Sequence, residues 1–237
     1  MPGPQLLLTF DDRTVDHWFA HRGVLDEAGV RATFFVSHVD GLSDAESEML
    51  RTLASQGHGI ASHGLRHVDG PAYVTEHGLD AYLENEITPS IAGLAERGLD
   101  HRDFAYPYGR RSPELDAALT ARFAWVRATS PRAVDDSAGE VLVDLGEQGL
   151  SRVLPARGID VGRRGVVNPD DSATLLAVFD QAAATGASVC LYAHDIAEWD
   201  QGLAEGRNFI TPERLRDVLH AATSRGLEPL TFGQLPD

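Results

Sequence analysis

The sequence contains one cysteine, Cys190, and no apolar run long enough to cross a membrane. A single cysteine cannot form a disulfide within the chain, and Cys190 lies in an apolar segment where a thiol packs like a small hydrophobic side chain. A membrane-spanning helix needs roughly 18 or more consecutive apolar residues. These absences exclude a disulfide-rich scaffold and a helical membrane protein.

Basic residues are also scarce, because 20 Lys and Arg stand against 36 Asp and Glu, which gives a net charge of −16. No basic cluster offsets this charge, so neither a nucleic acid nor an anionic membrane is an expected partner. The first residues, Met1-Pro2-Gly3-Pro4-Gln5, have neither the basic nor the apolar region of a signal peptide. We therefore expect a cytoplasmic protein, whereas a secreted one would need a leader ahead of this sequence. The sequence does not indicate an oligomeric state.

The 237 residues, 43% of them hydrophobic, suit one globular domain that spans residues 1–237. Strand-like apolar segments alternate with segments of helical periodicity, a pattern typical of a parallel sheet covered by helices. A helix from about Leu79 to Arg97 is predicted to kink or restart at Thr88-Pro89. Two stretches, 67–78 and 195–210, are predicted to be long loops able to line or close over a substrate.

The first strand-like segment runs from Leu6 to Phe10 and leads directly into two carboxylates, Asp11 and Asp12. Its apolar residues are those of a buried parallel strand, and sites in α/β folds lie at the carboxyl ends of such strands. Neighbouring residues on a strand point in opposite directions, so the chain must bend there for both carboxylates to reach one site. The alternative is that the two acids only begin the next helix, where the dipole favours them.

Two histidines, His63 and His67, follow a second strand-like segment at 58–61. Four residues apart on a helical turn, their imidazoles would share one face and could bind one ion. Exposed or helix-capping histidines are the usual alternative. With Asp12 they would form a set of two histidines and one carboxylate, which leaves coordination positions open for water and substrate.

Two later segments complete an ordered series of motifs. Phe104–Gly109 is a strand end turned by proline and glycine, and Ser188–Asp195 is an apolar run that ends in His-Asp. Together with the Asp pair and the two histidines, these segments resemble the polysaccharide deacetylase family, also called carbohydrate esterase family four or the NodB homology domain. The resemblance covers about residues 5–232. It implies an α/β fold, an irregular (β/α)7 barrel.

The resemblance also implies a metal centre. In the family, the positions matching Asp12, His63 and His67 bind one divalent metal ion. Zinc is the expected ion, and cobalt, nickel or manganese are possible substitutes.

Catalytic roles follow from the resemblance in the same way. Asp11 corresponds to the catalytic base and His194 to the general acid that protonates the departing amine. The backbone N–H of Tyr108 corresponds to a donor that holds the oxyanion.

The chain departs from the family pattern at three positions. Arg13 replaces the usual Gly after the Asp pair, and Gly64 replaces Ser or Thr. Ala105 replaces the Arg that partners the catalytic Asp, and a fourth motif, an Asp and Trp pair, has no identifiable counterpart. A catalytic carboxylate beside a dication needs a charge or hydrogen bonds to fix its orientation and pKa. We hypothesise that Arg157, near another strand end, reaches Asp11 instead, the alternative being a surface arginine beside a turn.

The implied function is that of a metal-dependent hydrolase that removes N-acetyl or O-acetyl groups from a carbohydrate or amino sugar. Two alternatives remain open, namely hydrolysis of a non-sugar C–N bond in a cyclic amide or imide, and carbohydrate binding without catalysis, which Ala105 would fit. The absent leader and the charge of −16 favour a small soluble substrate over an anionic wall polymer. Trp199 is a candidate to stack on a sugar face, or else to anchor its own loop.

Overall fold

The computed structural model describes residues 3–130, 141–147 and 150–236. Seven parallel strands form a closed ring, because the first strand pairs with both the second and the last. The strands of the ring are β1 (Gln5–Asp12), β2 (Ala32–Val36), β3 (Gly59–Ser62), β4 (Asp103–Ala105), β5 (Trp125–Thr129), β7 (Val153–Gly158) and β10 (Ser188–Ala193). This closure confirms the predicted (β/α)7 barrel.

Shorter strands make the barrel irregular. They are β6 (Leu142–Val143), β8 (Gly162–Arg163), β9 (Val166–Val167), β11 (Asp195–Ile196), β12 (Phe209–Ile210) and β13 (Glu228–Pro229). β13 pairs with the start of β1, and β6 pairs antiparallel with the start of β10. The ring neighbours β2 and β7 therefore pair only with the later parts of β1 and β10, from Leu8 and Leu191 onward.

Helices cover the outside of the ring. They are α1 (Val15–Glu27), α2 (Asp44–Ser55), α3 (Gly70–His77), α4 (Leu79–Tyr82), α5 (Thr88–Glu96), α6 (Pro113–Thr120), α7 (Ser172–Thr185), α8 (Trp199–Glu205) and α9 (Pro212–Thr223). Several begin at sequence signals: Ser43 forms a capping box with Glu46, and Ser112 and Thr211 cap helices whose next residue is proline. Among the described residues, no helix has the length and apolar character needed to span a membrane.

The predicted kink near Thr88-Pro89 is confirmed, and it takes the form of a π-helical segment, Leu83–Ile87, between α4 and α5. Proline lacks an N–H and its ring crowds the carbonyl four residues earlier, so the preceding turn widens. The wider turn contains Glu86, a buried carboxylate. This deviation from a regular helix therefore places an acidic side chain inside the fold.

The prediction that residues 67–78 and 195–210 form long loops is wrong. The stretch 67–78 contains α3, whose first turn is capped by Asp69 accepting from the Ala72 amide at 3.2 Å. Asp69-Gly70-Pro71 is a helix start, a cap followed by an early proline, and not merely turn chemistry. The stretch 195–210 contains β11, α8 and β12. Both stretches are thus ordered by their own hydrogen bonds.

Alternate residues of the ring strands face opposite sides of the barrel wall. Residues that point inward form one core cluster with Leu7, Phe35, Ala61, Ala105 and Cys190. The intervening residues, such as those at positions 6, 8 and 10, pack outward against the helices. Cys190 is buried in the inner cluster, as expected of a packing thiol. By this alternation Asp11, four residues after Leu7, also points into the barrel.

Candidate active site

Asp11 and Asp12 line one cavity of about 580 Å³ at the carboxyl ends of the ring strands. Asp12 has a φ of 82°, in the left-handed region that non-glycine residues rarely adopt. The chain therefore bends at the last residue of β1, and the two neighbouring carboxylates reach the same cavity. This is the bend that the sequence required for a shared site.

The three residues assigned as metal ligands lie together. Asp12 Oδ1 is 3.2 Å from His67 Nε2 and 3.7 Å from His63 Nε2. The three ligand atoms all lie within 4.8 Å of one another. Ligand atoms bound tetrahedrally at about 2.0–2.1 Å are separated by about 3.3 Å. The two separations from Asp12 are therefore close to the spacing that a first-row divalent ion requires.

Both histidines are held in the form that binds a metal. The Nδ1–H of His63 donates to the Ala105 carbonyl at 2.8 Å, which leaves Nε2 facing Asp12. Burial lowers the pKa of His63 to about 4 and also lowers the pKa of His67. Both imidazoles are thus neutral near pH 7, and only neutral imidazole binds a metal ion.

Glu86, in the π-helical segment, holds the backbone between the two histidines. It accepts from the Arg66 amide at 2.8 Å and from the Arg66 guanidinium at 2.5 Å, and its carbonyl accepts from the Leu65 amide at 3.1 Å. Gly64 has a φ of 76°, where a serine or threonine would be strained. The departure at Gly64 therefore suits this backbone, and Glu86 steadies the segment.

Asp11 forms a buried ion pair with Arg127 on β5. Arg127 is paired in register with Ala105, so its guanidinium enters from the strand beside the position where the family has its arginine. The hypothesis for Arg157 is corrected: Arg157 pairs with Asp171 at 3.2 Å. Arg157 lies opposite Leu191, whose side chain packs outward, and it therefore lies on the outer face of the wall.

The environment of Asp11 favours a reactive carboxylate. Burial alone would raise its pKa, but Arg127, with smaller contributions from His63 and His194, holds the pKa below its usual value. Asp11 Oδ2 contacts Arg127, whereas the buried Oδ1 finds no hydrogen-bond donor among the described residues. Buried carboxylate oxygens normally have a partner, so the unpaired oxygen of this cavity-lining residue is suited to accept a proton from a ligand.

His194, at the end of β10, lies against Asp160 across the same cavity. Its Nδ1 is 2.7 Å from Asp160 Oδ2, and its backbone amide donates to Asp160 Oδ1 at 3.1 Å. Burial would lower the pKa of His194, but the charge and hydrogen bond of Asp160, together with the charges of Asp12 and Asp11, outweigh burial and the pKa rises to about 9. His194 is therefore protonated at neutral pH. Asp160 is not predicted from the sequence, where its only signal is its position just after a strand.

Tyr108 lies beside the metal set, with its ring centroid 4.5 Å from that of His67. Its φ of 59° is left-handed, and within the described part of the chain its amide donates to no protein acceptor. The N–H of Tyr108 is thus available to an oxygen atom in the cavity.

Unfavourable backbone conformations are concentrated here. Among the described residues, the non-glycine residues with positive φ are Asp12, His38, His67, Tyr108 and Arg164. All but His38 line the main cavity, and His38 borders a neighbouring one with Asp12 and His67. Such conformations cost about 1–3 kcal/mol each and persist only where the surrounding structure imposes them. Their clustering marks this rim as the functional part of the barrel.

A second group of possible ligands, His17, Asp195 and Glu205, is already engaged. His17 Nδ1 is 2.8 Å from Asp195 Oδ1, and Arg207 contacts both carboxylates at 3.2–3.3 Å. This cluster is an ion-pair network that an arginine neutralises, unlike the set around Asp12.

Comparison with known proteins places these residues in a family context. The sequence matches the polysaccharide deacetylase family over residues 1–122, just over half of the 237-residue chain. That range includes the Asp pair, both histidines and Tyr108, but not His194. A search of curated proteins found no match.

Solved structures with a similar fold include three bacterial enzymes. An esterase of carbohydrate esterase family four from Streptococcus mutans is 19% identical, with a TM-score of 0.60 over 97% of this chain and 86% of that one. An acetyl xylan esterase of family four from Clostridium thermocellum, solved with a cobalt ion, is 18% identical, with a TM-score of 0.58 over 98% and 89%. The peptidoglycan deacetylase PdaC from Bacillus subtilis is 16% identical, with a TM-score of 0.54 over 98% and 90%. At these identities the likeness establishes the fold.

Replacing Arg127 by methionine is expected to lower the free energy of unfolding by about 3–5 kcal/mol, because Asp11 would be left as an unpaired buried charge. Urea denaturation at pH 7 measures this loss. The matched control is Arg216→Met, which breaks an exposed ion pair with Glu27 and should cost at most about 1 kcal/mol.

The position of the charge is tested by moving it. The double variant Ala105→Arg/Arg127→Ala supplies the guanidinium from β4, the strand beside β5. Most of the free energy of unfolding lost in Arg127→Met should therefore be recovered. If Arg127→Met costs no more than Arg216→Met, Asp11 does not depend on this pair.

Replacing Asp160 by asparagine is expected to lower the pKa of His194 from about 9, because the strongest charge that raises it is removed while burial remains. NMR titration of the His194 ring in both proteins, at equal metal content, measures this change. Since the folded-state pKa lies above the unfolded one, the pair stabilises the fold fully below about pH 6.5. That contribution is lost as the pH rises towards 9, so the stability difference between the two proteins should narrow over this range. A difference that is constant with pH would contradict a charged His194.

Proposed function

The chain belongs to the polysaccharide deacetylase family, and from this premise we propose that it is a metal-dependent hydrolase that removes acetyl groups from a carbohydrate or amino-sugar substrate. One observation carries the proposal. A single cavity joins a set of three metal-ligand side chains, a carboxylate with a free buried oxygen and a protonated imidazole. These are the groups that hydrolysis of an acetamide needs.

Asp12, His63 and His67 would hold one divalent cation, zinc or a first-row substitute. Their separations of 3.2 and 3.7 Å and their neutral imidazoles support this assignment. The cobalt ion in the structurally similar Clostridium thermocellum esterase agrees with it. When bound, such an ion supplies Lewis acidity towards the acetyl carbonyl and makes water nucleophilic near neutral pH.

The remaining steps fall to the side chains of the chain itself. Asp11 Oδ1 takes a proton from the attacking water as the new C–O bond forms, while Arg127 keeps Asp11 ionised and oriented. The Tyr108 N–H donates a hydrogen bond to the carbonyl oxygen as negative charge develops there. His194 gives its proton to the nitrogen as the C–N bond breaks, and Asp160 holds the imidazole in place. An amine leaves poorly unless it is protonated, so a separate acid is required.

The substrate is proposed to be small. A cavity of about 580 Å³ falls within the range of small-ligand pockets, roughly 300–1,000 Å³, and accommodates one or two sugar rings. We also propose that residues 1–237 act as one catalytic domain, since the site residues come from strands all around one ring.

The two alternative functions have less support. A non-catalytic carbohydrate-binding protein was suggested by Ala105, but the Arg127 guanidinium beside Asp11 removes that argument. Hydrolysis of a cyclic amide does not account as well for a ligand set with the dimensions of a metal site.

The metal and base assignments are tested together. Purified protein should bind one divalent ion per chain, and His67→Ala should lose it. Asp11→Asn should abolish deacetylation while the metal stays bound, because Asp11 transfers a proton and is not a ligand. Elemental analysis and an acetate-release assay measure the two properties. Full metal binding by His67→Ala at wild-type affinity would refute the ligand set.

The acid is tested through the leaving group. His194→Ala should reduce kcat for an N-acetyl sugar by about 10²–10⁴-fold, the usual contribution of a general acid. The same variant should lose far less activity on an activated aryl acetate, whose leaving group needs no proton. Equal losses on both substrates would show that His194 has another role.

A further inference from the structure

Two arginines, Arg163 and Arg164, line the same cavity as Asp11, Asp12 and His194. All 20 basic residues of the chain are arginines. Elsewhere in the described residues each arginine has a protein partner, usually a carboxylate or a main-chain carbonyl. Within that described part, the side chains of Arg163 and Arg164 make no ion pair and no hydrogen bond. In a chain with an excess of acidic residues, it is unusual for two guanidinium groups in one cavity to lack a carboxylate partner.

The local backbone does not account for an arginine at position 164. β8 and β9 form a hairpin in which Arg163 pairs with Val166, so its turn consists of Arg164 and Gly165. Both turn residues have positive φ, 51° and 77°. Such two-residue turns favour Asn, Asp or Gly at the first position, where a larger side chain is strained. An arginine there is disfavoured for folding, which points to a use for its side chain.

The hairpin is fixed relative to the proposed proton donor. Gly162 packs so closely on Phe209 that a Cβ would lie 2.2 Å from the ring. After the turn, the Asn168 side chain donates to the Asp160 carbonyl at 2.8 Å, and the Asn168 amide donates to the Val161 carbonyl at 2.8 Å. Asp160 in turn orients His194. The two guanidinium groups are therefore carried by a short hairpin anchored at the reacting centre.

We propose that Arg163 and Arg164 bind an anionic substituent, a phosphate or a carboxylate, on the acetylated sugar, so that the preferred substrate is a small acidic sugar. The inference rests on the proposed deacetylase function and specifies its substrate class. Guanidinium groups bind phosphate and carboxylate oxygens through parallel hydrogen bonds. Three carboxylates, Asp11, Asp12 and Asp160, also line the cavity. The metal ion and His194 are already assigned to the reacting acetyl group, so the two arginines are the cationic groups of the cavity that are left for an anionic substituent.

Kinetics on matched substrates test this proposal. The probes are N-acetylglucosamine, its 1-phosphate, its 6-phosphate and N-acetylmuramic acid, which separate phosphate from carboxylate and vary the position of the charge. The wild-type kcat/KM for at least one acidic probe should exceed that for N-acetylglucosamine by tenfold or more. In Arg163→Gln/Arg164→Gln this ratio should fall at least tenfold. The matched control Arg216→Gln removes an exposed arginine far from the cavity and should leave the ratio within twofold.

A second variant guards against a folding defect. Arg164→Asn places a favoured residue in the turn, so its melting temperature should equal or exceed that of the wild type while the acidic-to-neutral ratio still falls. If the acidic preference persists in the double variant, the proposal is overturned.

A binding measurement separates this proposal from the proposed function. Calorimetry compares glucosamine with glucosamine 6-phosphate, glucosamine 1-phosphate and muramic acid, using wild-type and double-variant protein without turnover. Tighter binding of an acidic amine that depends on both arginines supports the inference even if no acetylated probe is hydrolysed, a result that would count only against the deacetylase function. Turnover without any acidic preference in kinetics or binding would overturn the inference and leave the deacetylase function intact.

Discussion

The buried ion pair between Asp11 and Arg127 is the interaction on which the site depends. A carboxylate inside the barrel carries a large desolvation cost, and a single well-placed guanidinium offsets it. The ring centroids of Tyr192 and Phe35 lie 5.0 and 5.5 Å from Arg127 Cζ, and these aromatic rings also stabilise the cation. Only one Asp11 oxygen is needed for the pair, so the other remains free for chemistry. The interaction that makes Asp11 tolerable in the core therefore also leaves it reactive.

The backbone is regular along the strands of the barrel and strained at their carboxyl ends. The ring strands supply a continuous hydrogen-bonded wall. The left-handed residues Asp12, His67 and Tyr108 occur at the last residue of β1 and in the segments that follow β3 and β4. Glu86 reaches this rim only because a π-helical turn, provoked by Pro89, redirects it towards Arg66. Regular strands fix the positions of these segments, and the irregular backbone at the strand ends lets several side chains converge on one cavity.

How much of this was readable from the sequence depends on the range of the interactions involved. The Asp pair and the histidine spacing are local patterns, and the alternation of strands and helices indicated the barrel. Arg127 contacts a residue 116 positions away, and its role follows from strand register, which no local pattern shows. A shift of one residue turns a strand side chain to the other face, so sequence alone could not decide between Arg127 inside and Arg157 outside. Asp160 was missed because its partner, His194, lies 34 positions away, and no local pattern shows such a contact.

The final constraint is that a base and an acid of opposite charge share one cavity without neutralising each other. Asp11 and His194 attract one another, and a direct contact between them would leave neither free to move a proton. The structure avoids this by giving each its own counter-ion from inside the barrel wall, Arg127 on β5 for the base and Asp160, just after β7, for the acid. One partner lowers the pKa of Asp11, and the other raises the pKa of His194. Their separation in pKa, on which acid–base catalysis at one pH depends, therefore owes its strongest electrostatic contributions to two residues that need never touch the substrate.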